Sequence, residues 1–249
     1  MTLFRDPTHY SENSVVQKSE ASYLIDKADI NFASKKLLDV GSGDGKLSAL
    51  MSNMGAEVTG IDISESMVNF STHNYPNCRF FQGDAQDLTK HAINYNIITS
   101  FNCLHWISDI ERVLSGIKAK LEKDGIFLGL IYPRCVGLWD AADWCENLPE
   151  YKVSSKLFVN PYCFHTKSDM ENLLTQVGFT NIKLWEEERQ TTFQTKEEFK
   201  GYIMGWLPHY HYYGQSFIKP WLHKYMELTD QMTNTEVTME YKTIFFIAS

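Results

Sequence analysis

Leu37-Leu38-Asp39-Val40-Gly41-Ser42-Gly43-Asp44-Gly45 is the stretch on which the reading of this chain turns. Its first four residues read as a short buried strand, apolar with a β-branched Val40, that stops abruptly at glycine. Gly41, Gly43 and Gly45 then alternate, and an amphipathic segment runs from Lys46 to Met54. A strand, a glycine-rich turn and a helix N-terminus in that order make a place where backbone can approach a ligand closely. Seventeen residues past Gly45 comes Asp62, at the end of a second apolar run from Glu57. An acidic residue there, at the tip of the next strand, is placed to accept ribose hydroxyls.

The glycine spacing bears on the ligand. Dinucleotide sites use G-x-G-x-x-G, whose third glycine lets the helix pack closely under a pyrophosphate. Here the pattern is G-x-G-x-G with Asp44 inside the turn, a poor neighbour for a diphosphate. Around it the alternation of strand and helix is regular. Strands are predicted near 36–41, 57–62, 78–83, 95–101 and 125–131, and helices near 46–54, 65–73 and 109–121. Gly55 suits the end of the first helix, and Ser64 and Glu65 suit the start of the second. Such alternation demands a parallel sheet with right-handed crossovers, and ligands bind beyond the carboxyl ends of its strands.

The 249 residues suffice for one α/β domain with insertions. A net charge of −8 and the absence of any basic run exclude a nucleic-acid duplex as an expected partner. The first residues lack a signal peptide's apolar core, and no stretch approaches ~18 apolar residues, so no membrane partner is expected. Five widely spaced cysteines form neither a zinc pattern nor a disulfide framework. The expectation is a cytoplasmic protein with reduced thiols.

Outside the core, residues 1–35 read as a helical cover, with a helix or two over about 14–30. Residues 132–165 interrupt the alternation with prolines and tryptophans and are long enough for a lid. Thr166 and Asp169 predict a capping box, and Met170, Leu173, Leu174 and Val177 an apolar helix face closed by Gly178. Thr180–Glu186 reads as a sixth strand, Thr195 and Glu198 as a second capping box, and 190–235 as a second, aromatic-rich insertion. Val237–Ala248 reads as a final strand on the antiparallel edge of the sheet.

Three motifs in order, Leu38 to Gly45, Gly60 to Met67 and Gly83-Asp84-Ala85, resemble motifs I to III of the class I S-adenosylmethionine-dependent methyltransferases. The resemblance implies a doubly wound, seven-stranded, mostly parallel sheet with helical cap insertions at 132–165 and 190–235, and S-adenosyl-L-methionine as cofactor. It implies Gly41, Ser42 and Gly43 against the methionine portion and Asp62 on the ribose. Ile63, Met67, Ala85, Phe101 and Asn102 would line the adenine and the remaining wall, with Asp84 on the adenine amino group or serving as a helix cap. Asp39 would lie near the cofactor's amino end or anchor the loop.

Beyond the motifs, Tyr10 to Gln17 upstream, Cys103-Leu104-His105-Trp106 after the fourth strand, and the two insertions resemble a narrower subgroup. It contains the trans-aconitate, juvenile hormone acid and malonyl-carrier-protein methyltransferases, which methylate free carboxylates. The resemblance implies a carboxylate held by Gln17 and Trp106. His105 invites a general-base role but also fits a structural one. Arg134, Arg189 and the His209–Tyr213 cluster are further donors for a carboxylate. Methyl transfer from a sulfonium is an in-line displacement with a neutral leaving group, so the protein mainly positions and desolvates, and no metal is expected. The rival readings are N- or C-methylation of an amine or aromatic metabolite, and a non-catalytic protein that kept the cofactor site.

Overall fold

In the computed structural model, residues 6–88 and 93–249 are described. Seven strands form one sheet in the order β3-β2-β1-β4-β5-β7-β6. They are β1 (Lys36–Val40), β2 (Glu57–Asp62), β3 (Arg79–Gln82), β4 (Tyr95–Phe101), β5 (Leu121–Ile131), β6 (Lys183–Phe193) and β7 (Val237–Ala248). The pairs among β1 to β5 are parallel, whereas β7 runs antiparallel to both β5 and β6. The strand order reverses between β1 and β4, which places the glycine turn after β1 at the switch point where ligands bind.

Adjacent residues of a strand face opposite sides, and Leu37 and Leu38 show what that does here. Leu37 joins a cluster with Leu24, Met51 and Phe245, and Leu38 one with Val113, Phe127 and Leu174. Both faces of the sheet are therefore covered. On the first lie α2 (Val15–Ala28), α3 (Lys46–Asn53) and α4 (Glu65–Asn74), on the second α5 (Ile110–Lys120) and α7 (Lys167–Gln176). Local chemistry fixes several starts. Ser64 Oγ accepts from Met67 N–H at α4, and Thr166 and Asp169 form the reciprocal capping box at α7, a motif whose loss costs about 1 kcal/mol.

The two insertions build a single cap. It contains α6 (Val136–Glu146), α8 (Lys196–Met204), α9 (Pro208–Tyr213) and α10 (Gln215–Leu228), with Trp139, Phe199, Phe217 and Trp221 in one apolar cluster. The Trp221 indole donates to Leu138 O (3.1 Å), tying α10 to α6.

Four expectations need correction. The last strand is not the edge: β7 sits between β5 and β6, because Ile244, Phe245 and Phe246 are buried in succession and need cover on both faces. The acidic β6 takes the edge, where charge discourages pairing with other chains. That strand begins at Lys183 and runs on to Phe193, so the second insertion starts after 193 and not at 190. At α8, Thr195 Oγ1 caps Glu198 N–H, but the Glu198 carboxylate accepts from Gln194 N–H (2.7 Å), so the box is not reciprocal. Finally, a helix precedes the expected one: α1 (Pro7–Asn13), with Asp6 capping His9 N–H and Pro7 in its first turn.

Candidate active site

The glycine turn is shaped by backbone bonds. Gly41 and Ser42 N–H both donate to Ile61 O, at 2.8 and 2.9 Å, and Gly45 N–H donates to Ser42 O at 3.0 Å. Gly41 and Gly43 have φ of +76° and +52°, the left-handed region that favours glycine. Their surroundings differ. A Cβ on Gly41 would lie 2.3 Å from Cys103 Sγ, whereas one on Gly43 would meet only the Tyr10 ring, at 4.0 Å. Gly41 thus lets the segment after β4 pass close by, and Gly43 keeps the turn open beneath Tyr10.

Two of the aspartates do different work. Asp62 accepts from Gly43 N–H (3.0 Å) and Ser64 N–H (2.8 Å), one on each oxygen. A lone pair remains on each. Asp39, 2% exposed, lies beneath the turn and accepts from Ser48 (2.5 Å) and Thr99 (2.9 Å) hydroxyls, linking α3 and β4. Burial pushes its carboxyl up from 3.8 to about 6, against the pull of those two hydroxyls.

Above the turn is a cavity of about 240 Å³. Gly41, Gly43, Asp62, Ile63, Met67, Asp84, Ala85, Phe101 and Asn102 all line it. Asp39 and Ser42 do not: Asp39 is buried beneath the turn, and Ser42 is a buried residue of the turn itself. Ile63 is 65% exposed, an apolar side chain bare on the cavity wall as a flat ring would require. The Asp84 carboxylate is exposed at the far end and accepts from Gln86 N–H (2.9 Å). The residues present fit an adenosyl group: an aspartate with free lone pairs for ribose hydroxyls, an apolar face, and a second carboxylate for an exocyclic amine. Tyr10 on α1 and Cys103 also line the cavity. Neither is marked by spacing, although Asp6-Pro7 signals the helix that carries Tyr10. Burial, then the charges of Asp44 and Asp62, hold the Tyr10 phenol above its ordinary range, so it stays protonated.

A second cavity, about 50 Å³, adjoins the first through Tyr10, Asn102 and Trp106, which line both. Its walls are aromatic, with Trp106, Tyr132, Trp139, Tyr162, Trp206 and Tyr241 among them, and no Lys, Arg, Asp or Glu lines it among the described residues. Five buried polar atoms of its lining residues have no hydrogen-bond partner: Gln17 Oε1, Asn102 Oδ1, His105 Nδ1, the Tyr132 hydroxyl and Trp206 Nε1. Leaving such a group unsatisfied costs about 1–3 kcal/mol, and here five belong to residues around one space. His105 stacks on Tyr162 (4.6 Å between centroids), and burial, then His165, lowers its pKa to about 3. It is a neutral ring.

A family model described as a methyltransferase domain matches residues 17–184. This chain belongs to that methyltransferase family. Among curated relatives, a ubiquinone biosynthesis O-methyltransferase of Coxiella burnetii is 34% identical over 100 residues, 39% of this chain and 43% of the relative. The chain spans less than half the length of the first curated relatives it matches. Two solved structures share the fold. The YcgJ protein of Bacillus subtilis has a TM-score of 0.65 at 16% identity, covering 93% of this chain and 97% of its own. The magnesium protoporphyrin IX methyltransferase of Synechocystis, solved with bound S-adenosylhomocysteine, has a TM-score of 0.52 at 16% identity, covering 94% and 81%.

In this member of the family the remaining donors expected from the sequence lie elsewhere. Arg134 is paired with Asp140 and Asp143 (both 2.7 Å), and Arg189 with Glu20 (3.0 Å) and Glu187 (3.2 Å). His209 is buried against Phe158 and Phe217, with Glu146 at 3.5 Å. None of the three lines either cavity. Glu20, 1% exposed, also accepts from Tyr241 (2.9 Å) and Thr243 (3.3 Å) hydroxyls. It sits one turn beyond Gln17 on α2 and locks that helix to β6 and β7.

Proposed function

We propose that this protein transfers the methyl group of S-adenosylmethionine to a carboxylate oxygen of a small molecule. The donor is S-adenosylmethionine, which supplies an electrophilic methyl on a sulfonium. In the donor cavity Asp62 would accept from the ribose hydroxyls, Asp84 from the adenine amino group, and Ile63 would cover the ring. Gly43 leaves room for the methionine portion, and Asp39 acts from below by holding the turn to α3 and β4.

The observation that carries the acceptor class is the charge-free aromatic cavity with its five unpaired polar atoms. A carboxylate is ionised at neutral pH and is already a nucleophile, so it needs donors and exclusion of water, not a base. Trp206 and Tyr132 offer N–H and O–H, and the Gln17 amide can turn its NH₂ inward, since its oxygen is unpaired. Trp106 stands at the junction of the cavities, where the reacting oxygen would meet the methyl group. As the O–C bond forms and the S–C bond breaks, a negative and a positive charge cancel. A dry, uncharged wall favours that loss of charge. His105, neutral with its pKa near 3, is ill suited to take a proton from an amine or phenol.

The test is a mass-spectrometric screen of acids, amines and phenols with isotopically labelled S-adenosylmethionine. Methyl esters from one class of acid are the expected product. Methylation of amines or phenols with no ester from any acid would overturn the reading.

A further inference from the structure

The cap carries a surface that neither cavity uses. Val153, Leu157 and Val159 are 78%, 77% and 84% exposed, more than any other large apolar side chain among the described residues. They do not hang on a loose loop. Ser155 N–H donates to Tyr151 O (2.8 Å) and Phe158 N–H to Ser155 O (3.2 Å), closing a 3-10 turn over Ser154–Leu157. Phe158 points inward, 4.7 Å from the His209 ring and 5.0 Å from Tyr212. Val153 and Leu157 are thereby held outward by the turn, and Val159 follows directly after the inward Phe158.

The charge around them runs against the rest of the chain. The tip carries the two lysines Lys152 and Lys156 with the single exposed acid Glu150 at its edge, a local positive excess in a protein with 31 Asp and Glu and a net charge of −8. Lys152 and Lys156 are exposed beside Val153 and Leu157. Side chains exposed to this degree sit in no groove that would define a partner's shape. A fluid hydrocarbon boundary accepts any shape, and lysines beside aliphatic side chains reach lipid phosphates while their stems lie along the apolar layer.

We propose that this turn docks the protein onto an anionic lipid surface. Val153, Leu157 and Val159 enter the boundary between headgroups and acyl chains, and Lys152 and Lys156 pair with lipid phosphates. Glu150 offsets one of the two lysines, and acids farther off oppose docking weakly, because exposed charges are screened beyond ~8 Å at physiological ionic strength. No described helix is long and apolar enough to cross a membrane, so the contact is peripheral. The sequence-based expectation of no membrane partner rested on the lack of a spanning stretch, and surface docking needs none. Just beyond Val159, Tyr162 forms part of the acceptor cavity wall and Cys163 N–H donates to His105 O (2.7 Å). Docking would set the rim of that cavity against the lipid.

The experiment is vesicle flotation of the full chain with phosphatidylcholine alone and with phosphatidylglycerol added. The protein is expected to float with the anionic vesicles and not the neutral ones. Binding should fall roughly ten-fold or more in Val153→Ser/Leu157→Ser/Val159→Ser and in Lys152→Glu/Lys156→Glu. All five positions are exposed, so both variants should keep the wild-type melting temperature; Val159→Ser alone should show a partial loss. No flotation with anionic vesicles, or equal flotation of wild type and both variants, would overturn the proposal. So would a wild-type dimer that the triple variant converts to monomer, since the face would then join two copies of the chain. Binding of an acidic protein through the lysines without vesicle binding would overturn it as well.

Discussion

Gly43 donates its backbone N–H to the Asp62 carboxylate at 3.0 Å, so the residue proposed to hold the ribose also holds the turn beside it. Asp62→Ala is expected to weaken S-adenosylmethionine binding by about 1–3 kcal/mol, the cost of losing charge-assisted hydrogen bonds. The free protein should melt earlier too, because Gly43 and Ser64 lose their acceptor. Calorimetry that found wild-type affinity in the folded variant would defeat the assignment.

Gly41, packed against Cys103, and Gly43, open beneath Tyr10, should separate fold from ligand. At Gly41 a methyl group would strike Cys103 Sγ at 2.3 Å, so Gly41→Ala should destabilise the fold by about 2–4 kcal/mol through overpacking and a left-handed backbone. At Gly43 the nearest atom is 4.0 Å away, so Gly43→Ala should cost only about 1–2 kcal/mol from its backbone while impairing cofactor binding. Urea unfolding and cofactor titration of both variants check the contrast. Equal stability losses would refute it.

Asp39 gives a pH signature. Its carboxyl is raised in the folded protein from 3.8 to about 6, chiefly by burial. The stability it contributes is full below pH ~4 and is lost as pH rises through about 6. Asp39→Asn cannot titrate. The stability difference between variant and wild type should therefore move in the variant's favour by on the order of 1–3 kcal/mol between pH 4 and 7, whatever the offset from lost hydroxyl bonds. Denaturation at stepped pH measures this, and a flat difference would contradict the raised pKa.

For the acceptor, Gln17→Ala and Trp106→Phe should each lose about 1–3 kcal/mol in kcat/KM. His105→Ala should have a smaller effect, and the wild-type rate should not rise through a pKa between 6 and 8, because burial holds His105 neutral down to about 3. A steep rise with pH that vanishes in His105→Ala would favour proton abstraction from another acceptor class.

Most elements between 36 and 131 were legible because strand, turn and cap signals there are local: Val40 before Gly41, Ser64 before Glu65; the fifth strand, expected from 125, begins at Leu121, directly after α5. The place of β7 was not, since β6 and β7 both alternate and only packing of Phe245 and Phe246 decides which lies inside. Asp39 and Asp62 look alike in sequence, each near the end of a strand, yet one faces down into α3 and the other up beside the turn. The aromatic cavity was legible in part: Gln17, His105 and Trp106, expected at the acceptor, do share its lining, whereas Tyr132 and Trp206 reach it from distant stretches and no spacing announces their meeting.

The position of β7 also orders events during synthesis. Among the described strands, β6 pairs only with β7, and α8, α9 and α10 are translated between them. An acidic strand must therefore wait, unpaired, while the ribosome makes most of the cap. Glu186, Glu187 and Glu188 suit it to that interval, since like charges resist pairing with a second nascent chain. In the folded sheet β7 is the strand that joins β6 to β5, and it carries Met239 and Tyr241 to the aromatic cavity. The strand that completes the sheet, made last, is thus also one that closes the wall of the aromatic cavity.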